Sequence, residues 1–368
     1  MLTFIRVYLS KFLLIWLCLT CLLAYGWSQL FGAQTFDPFD VSKLFMQCLI
    51  AVTMLAIGSL LPMDEVKMVA RRWKSVLGGT CVQYLSMPLL AWLATVIFHI
   101  EGGYRIGIIM AGCVPGAMAS NMLTMIARGN VSYSVGLTTS ATLLSPIVVP
   151  LTLVCLLGLD LNATGANAGD SGSWMAFITS AVTQIRSSLK LDAISVSKTL
   201  LSTVVCPVVI GFTLSQMWQA WHRAAVALGE IMANVAIIWI IASVVAANRN
   251  QFGLLPLLPF VAMMFLNLGG YAAGYFGGHV IGIDAGMRRA LTLEVGMQNA
   301  GLGTFLARQY FPDEPNAALC CALYTFGCMF TGIILAQYFR HQVAKQTDAG
   351  QAEVTSAADD PTEKKNAS

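Results

Sequence analysis

Between Phe12 and Phe339 the chain alternates apolar runs of roughly 20 residues, enough to cross the hydrocarbon of a bilayer, with short polar turns. The runs fall at 12–32, 41–61, 75–98, 104–127, 133–158, 197–218, 226–247, 254–281, 287–307 and 317–339. Each is expected to be a helix, because a helix satisfies its own backbone N–H and C=O groups where lipid offers no partner. The expected fold class is therefore an all-α polytopic membrane protein with ten transmembrane helices. Two stretches stand apart. Residues 159–196 begin with Gly, Asn, Asp and Ser and continue through Trp174 to Leu191, which suits an amphipathic helix lying at the interface. From about 341 the chain has almost no large apolar residue, and a disordered tail over 341–368 is expected.

The runs divide into five and five: a first repeat over 1–158, an external connection over 159–196, and a second repeat over 197–340. An odd number of spans per repeat inverts one half relative to the other. In each half the fourth span is the irregular one. The first reads Ala111-Gly-Cys-Val-Pro-Gly-Ala-Met-Ala-Ser-Asn121 and runs on to Ala127-Arg128; the second ends Phe305-Leu-Ala-Arg308. Pro115 removes a donor and clashes with the preceding turn, so a helix break is expected around Gly112, Pro115 and Gly116. Gly296, followed by Gly301 and Gly303, weakens the partner span in the same way. Broken helices in matching positions of two halves are the best sequence pointer to a transport site, because they free carbonyls for cations and positive helix ends for anions.

The second broken span also carries Glu294, with Gln298 and Asn299 following and no basic residue within Leu291–Leu306. A charge at the bilayer centre costs about 2.5–3.5 kcal/mol on insertion scales, so such a carboxylate marks function. Gln83 makes the same demand in the third span, since a buried amide needs partners.

Composition agrees with a membrane protein: 57% of residues are hydrophobic and 11% charged, against about 45–50% and about 25% in soluble domains. Net charge is +3, which gives no case for nucleic acid. With the N-terminus inside, 14 of the 21 Lys and Arg fall on the cytoplasmic side, including Lys67, Arg71, Arg72, Lys74, Arg288 and Arg289. The opposite side holds Lys43, Arg105, Arg186, Lys190, Lys198, Arg249 and Arg308. This positive-inside bias makes both termini cytoplasmic, in a multi-pass protein of a bacterial inner (cell) membrane. Arg6 and Lys11 ahead of Phe12–Leu23 resemble a signal peptide, but no good cleavage site follows, and a retained first helix is expected. The ten cysteines lie mostly in apolar runs, and Cys18 and Cys21 read as small apolar filler rather than a redox pair. An intramembrane enzyme would need paired carboxylates, a His-rich metal set or a Ser/Lys nucleophile at membrane depth; none is present, so no enzyme is expected.

Three segments in order, Pro115-Gly-Ala-Met-Ala-Ser-Asn121, Ala127-Arg-Gly-Asn-Val-Ser-Tyr-Ser134 and Glu294-Val-Gly-Met-Gln-Asn299, resemble the bile acid:sodium symporter family over spans two to ten. The resemblance implies a core domain with two discontinuous crossing helices, a panel domain, and import of organic anions, usually with two sodium ions. It implies a first sodium site of Ser120, Asn121, Ser134, Thr138 and Glu294. A second would use Gln83, Glu294, Val295, Met297 and Gln298, the backbone carbonyls serving at Val295 and Met297. Substrate is then expected near Ala117, Met118, Ala119, Asn299, Ala300 and Gly301, its carboxylate held by backbone amides at the half-helix starts. Met118 stands where many relatives have glycine or a hydroxyl residue. Sodium suits several neutral oxygens with one or two charges. The expected function is sodium-coupled symport of a small organic anion by alternating access, with no cofactor beyond two co-transported sodium ions. The alternative is a proton-coupled or uncoupled organic anion carrier of the same fold.

Overall fold

The computed structural model describes Leu9 and residues 12–32, 35–158, 193–249 and 257–358. Most of the 159–196 connection, its expected interfacial helix and residues 359–368 lie outside them. Among the described residues the chain is all helix, with one isolated backbone bridge. We number the helices α1 (Leu13–Phe31), α2 (Lys43–Leu60), α3 (Met63–Arg71), α4 (Trp73–Ile97), α5 (Gly102–Cys113), α6 (Ala119–Ile126) and α7 (Val131–Gly158). The second half comprises α8 (Ala193–Leu200), α9 (Cys206–Met217), α10 (Gln219–Ala247), α11 (Leu257–Val280), α12 (Ala285–Gly296), α13 (Ala300–Tyr310) and α14 (Pro315–Ala358). Eight helical stretches are long and apolar enough to span a bilayer, counting α8 to α9 as one. The multi-pass membrane class is thus carried by the fold itself.

Local chemistry sets the ends. The Ser42 hydroxyl accepts from the Phe45 N–H at the start of α2, and the Asp284 carboxylate accepts from Met287 N–H at the start of α12. Prolines inside spans are tolerated where a hydroxyl replaces the lost donor. Pro146 leaves the Thr142 carbonyl without its helical N–H, and Ser145 Oγ donates to that oxygen at 2.7 Å. Between α8 and α9 a π turn over Leu201–Val205 precedes Pro207, whose missing N–H favours the wider turn.

The helices form two groups. In one, α2 contacts both α9 and α10, and α1 packs on α10. In the other, α4, α5, α6 and α7 assemble with α11, α12, α13 and α14. The apolar part of α14 is 56% buried and that of α1 17%, so α14 runs through the middle of its group while α1 lies at the edge of its own. Leu17, Cys21 and Ala24 of α1 are nonetheless buried with Ile241 and Ala242 of α10. That burial makes the first helix an integral part of its group.

Three expectations change. The turn after the second span contains a helix, α3, whose polar sequence Met-Asp-Glu-Val-Lys-Met-Val-Ala-Arg hides it from a search for apolar runs. The seventh span begins at Gln219, seven residues before the expected 226. The last helix continues past Arg340 to Ala358, where a tail without structure was expected; Ala, Gln and Lys are good helix formers once a preceding span supplies the nucleus.

Candidate functional site

Two of the expected spans are each split into half-helices. Helix α5 ends at Cys113, Val114 is extended (φ −70, ψ 157), and α6 starts at Ala119. Helix α12 ends at Gly296, Met297 is extended (φ −111, ψ 94), and α13 starts at Ala300. The two breaks lie against each other, antiparallel, with Gly116 opposite Gln298. Ala117 N–H donates to the Met297 carbonyl and Asn299 N–H to the Pro115 carbonyl, each at 2.8 Å. A helix interrupted in an apolar interior leaves orphan backbone groups, and here each break supplies partners for the other.

The glycines divide by role. Pro115 and Gly116 sit in the first break, and a Cβ on Gly116 would collide with the Glu294 carboxylate. Gly296 closes α12 against the ring of Tyr271. Gly112 differs from expectation. It remains inside α5, where a Cβ would press on Ala91 Cβ and the Met87 carbonyl, so it permits close approach of α4 rather than breaking a helix.

Glu294 is fully buried at the centre of this crossover. Ser120 Oγ donates to its Oε2, and Thr138 Oγ1 donates to its Oε1 at 2.7 Å. Ser134, one helical turn before Thr138 on α7, is fully buried, and its hydroxyl accepts from Thr124 Oγ1 at 3.2 Å. Each of these partners is neutral. On the other flank Gln83, 1% exposed, reaches Gln298 Oε1 with its Nε2 at 3.4 Å, while Gln298 Nε2 donates to the Val295 carbonyl at 2.7 Å.

Four buried amide oxygens meet no donor among the described residues: Gln83 Oε1, Asn121 Oδ1, Asn248 Oδ1 and Asn316 Oδ1. The first two belong to the crossover, Asn121 following Ser120 and Gln83 bonded to Gln298. Buried acceptors are nearly always satisfied, so two orphans beside a buried carboxylate leave a local excess of oxygen lone pairs. Such a surplus suits a hard cation. No cluster of His, Cys, Asp and Glu able to hold a transition metal occurs among the described residues.

A cavity of about 100 Å³ opens between the two helix groups. Ile57, Gly58 and Leu60 of α2, with Val208 of α9, form one wall; Met118, Asn121, Thr138, Thr139 and Thr142 form the facing one. Of the residues expected to hold substrate, Met118 lines this cavity. Asn299 uses its side-chain oxygen to cap α13, accepting from Leu302 N–H at 3.1 Å. The amides of Ala117, Ser120, Asn121, Asn299 and Ala300 are engaged within the crossover or its first turns, which leaves few of them for an anion.

Sequence reasoning missed a polar set behind the crossover. Asn267 of α11 donates through Nδ2 to the Gly296 carbonyl at 2.8 Å, and Tyr324 of α14 donates to the same oxygen at 2.9 Å. Thr331 Oγ1 donates to Asn267 Oδ1 at 2.6 Å. The signal for Asn267 was present, since it is an amide inside an apolar span like Gln83. Tyr324 gives no such signal, because tyrosine is ordinary in helices that meet the interface.

Crossed, interrupted helices around a buried carboxylate, facing a cavity between two helix groups, define a membrane transporter. The chain belongs to the sodium bile acid symporter family, whose model matches residues 47–255. It is 28% identical over 302 residues to the uncharacterized sodium-dependent transporter YocS of Bacillus subtilis, covering 82% of this chain and 85% of that one. It is 27% identical over 334 residues to the probable sodium/metabolite cotransporter BASS1, chloroplastic, of Arabidopsis thaliana, covering 91% and 74%. Among solved structures, the sodium proton antiporter MjNhaP1 of Methanocaldococcus jannaschii shares the fold, with a TM-score of 0.51 at 10% identity over 92% of this chain and 99% of that one. The curated relatives are transporters and not enzymes.

Proposed function

We propose that the protein is a sodium-coupled symporter that imports a small organic anion of the carboxylate class by alternating access. The observation that carries this reading is the fully buried Glu294 carboxylate met by the neutral hydroxyls of Ser120 and Thr138, with unpartnered amide oxygens on Asn121, next to Ser120, and on Gln83, which bonds Gln298. One sodium ion takes Ser120, Asn121, Ser134, Thr138 and Glu294. A second takes Gln83, Gln298, Glu294 and the carbonyls of Val295 and Met297. When the cation arrives, the Ser120 and Thr138 hydroxyls, which now donate to Glu294, turn their lone pairs toward it.

Charge arithmetic supplies the coupling. Two sodium ions against one carboxylate leave one positive charge, and an organic monoanion in the adjoining cavity neutralises it. A half-loaded crossover keeps an uncompensated charge in a low-dielectric interior, which opposes movement of the core in that state. The helix grouping supports this motion. Helices α1, α2, α9 and α10 form the panel, and α4–α7 with α11–α14 form the core. The eight long helices plus the two interrupted ones make ten spans in two inverted repeats of five, with both termini cytoplasmic in a bacterial inner membrane.

The test is uptake into proteoliposomes from a panel of labelled small carboxylates, with an inward gradient of sodium, of potassium, or of protons. Concentrative uptake of at least one carboxylate in the sodium gradient alone is expected. Uptake driven equally by the proton gradient without sodium would overturn sodium coupling in favour of proton coupling.

A further inference from the structure

Three successive carbonyls leave the end of α12, and they do not point the same way. Val295 O takes Gln298 Nε2, and Met297 O takes the amide of Ala117, both on the crossover side. Gly296 O takes Asn267 Nδ2 and Tyr324 OH, from helices packed on the other face. The physical reason is the extended conformation at Met297 (φ −111, ψ 94), in which consecutive carbonyls alternate in direction. In an unbroken helix Gly296 O would accept the N–H of Ala300, but that amide bonds Gln298 O instead. The oxygen is therefore held entirely by side chains.

The clamp is itself braced. Thr331 Oγ1 donates to Asn267 Oδ1, which fixes the amide so that Nδ2 faces Gly296. Tyr271 OH lies 3.1 Å from both Thr331 Oγ1 and the Cys328 carbonyl, while its ring closes on the Cα side of Gly296. Asn267 is 1% exposed and Tyr324 2%, so no solvent competes for these bonds. Two side chains from separate helices aimed at one backbone oxygen cost desolvation at both ends, and such a network is maintained only where a defined backbone geometry is needed.

We infer that Asn267 and Tyr324, braced by Thr331, are positioning residues for the cation site. By holding Gly296 O on the far face they force the carbonyls of Val295 and Met297 toward the crossover. They touch no ion themselves. The inference rests on the sodium reading given above, and it assigns control of cation affinity and selectivity to residues outside the coordinating set.

The experiment compares wild type with Tyr324→Phe, Asn267→Leu, Asn267→Asp and Gln83→Ala in detergent. Each is titrated with sodium, lithium and potassium at constant ionic strength, and thermal unfolding is followed. Tyr324→Phe keeps the ring and removes only the hydroxyl, so the fold should survive. We expect its sodium midpoint to rise about 3- to 10-fold, with a changed sodium-to-lithium ratio, while unfolding in potassium moves by only a few degrees. Asn267→Leu should raise the midpoint by at least as much. Asn267→Asp, which keeps the oxygen facing Thr331 but loses the donor to Gly296, should resemble Leu. If these variants lower stability equally in all three salts and leave the sodium midpoint and selectivity unchanged, the clamp is merely structural and the inference is overturned. In that outcome a sodium midpoint present in wild type and raised about 10-fold in Gln83→Ala leaves the sodium sites standing. Identical curves in sodium and potassium for wild type would instead overturn both.

Discussion

The two interrupted helices meet at one point, yet their breaks are built from different chemistry. The first, between α5 and α6, is broken by Pro115, carries no charge, and leaves a glycine, Gly116, where the Glu294 carboxylate comes closest. The second, between α12 and α13, has no proline. It carries Glu294 itself, and its freed Gly296 carbonyl is tied down by Asn267 and Tyr324. One break is a space and the other is an instrument. The comparison teaches that two helix breaks packed against each other need not share a role. The break with Pro115 shapes room for the carboxylate, and the break after Glu294 delivers it.

The largest effect should come from removing the charge of the second break. Glu294→Gln preserves shape but loses the only carboxylate at the crossover, and sodium affinity should fall about 100-fold or more, read as a shift in the sodium midpoint of thermal stabilisation. An unchanged midpoint would dissolve the contrast between the breaks. Next in size are two glycine substitutions that separate them. A methyl at Gly116 collides with the Glu294 carboxylate, so Gly116→Ala should weaken sodium binding roughly 10-fold through overpacking of about 1–3 kcal/mol. Gly296→Ala meets the Tyr271 ring instead and disturbs the hold on its carbonyl, so it should lower thermal stability in every salt as well as raise the sodium midpoint. Equal profiles for the two variants would show that both glycines are only contacts between helices.

Effects of similar size are expected from the orphan amides. Gln83→Leu and Asn121→Leu each remove an oxygen without disturbing a carboxylate, and each should raise the sodium midpoint about 10-fold, since a hydrogen-bond-like contact to a charge is worth about 1.5–3 kcal/mol. The smallest belongs to Asn299→Ala. Its side chain caps α13, so calorimetry should record a loss of about 1 kcal/mol with sodium affinity nearly unchanged.

Much of this was legible in the sequence because lipid makes certain residues conspicuous. Glu294, Gln83 and Pro115 are costly or disruptive in an apolar run, and each leads directly to the crossover. Ser120 and Thr138 came from the family resemblance, and the structure brings both onto the carboxylate. Gly112 was misread because a glycine beside a proline looks like part of the break, whereas its role depends on a neighbouring helix that sequence does not display. Helix α3 escaped notice because a surface helix with alternating charge has none of the hydropathy of a span. The Gly296 clamp was hidden for a deeper reason. Asn267 and Tyr324 act on a carbonyl at 29 and 28 residues' separation, and only the fold says where that carbonyl points.

The central claim is that Glu294 and the orphan amides form cation sites, and equilibrium binding of radioactive sodium to the purified protein tests it most directly. The account predicts saturable binding of two sodium ions per chain, not displaced by equal potassium, with both weakened about 100-fold or more in Glu294→Gln and one weakened about 10-fold in Gln83→Leu. Saturable binding that persists unchanged in Glu294→Gln would contradict it.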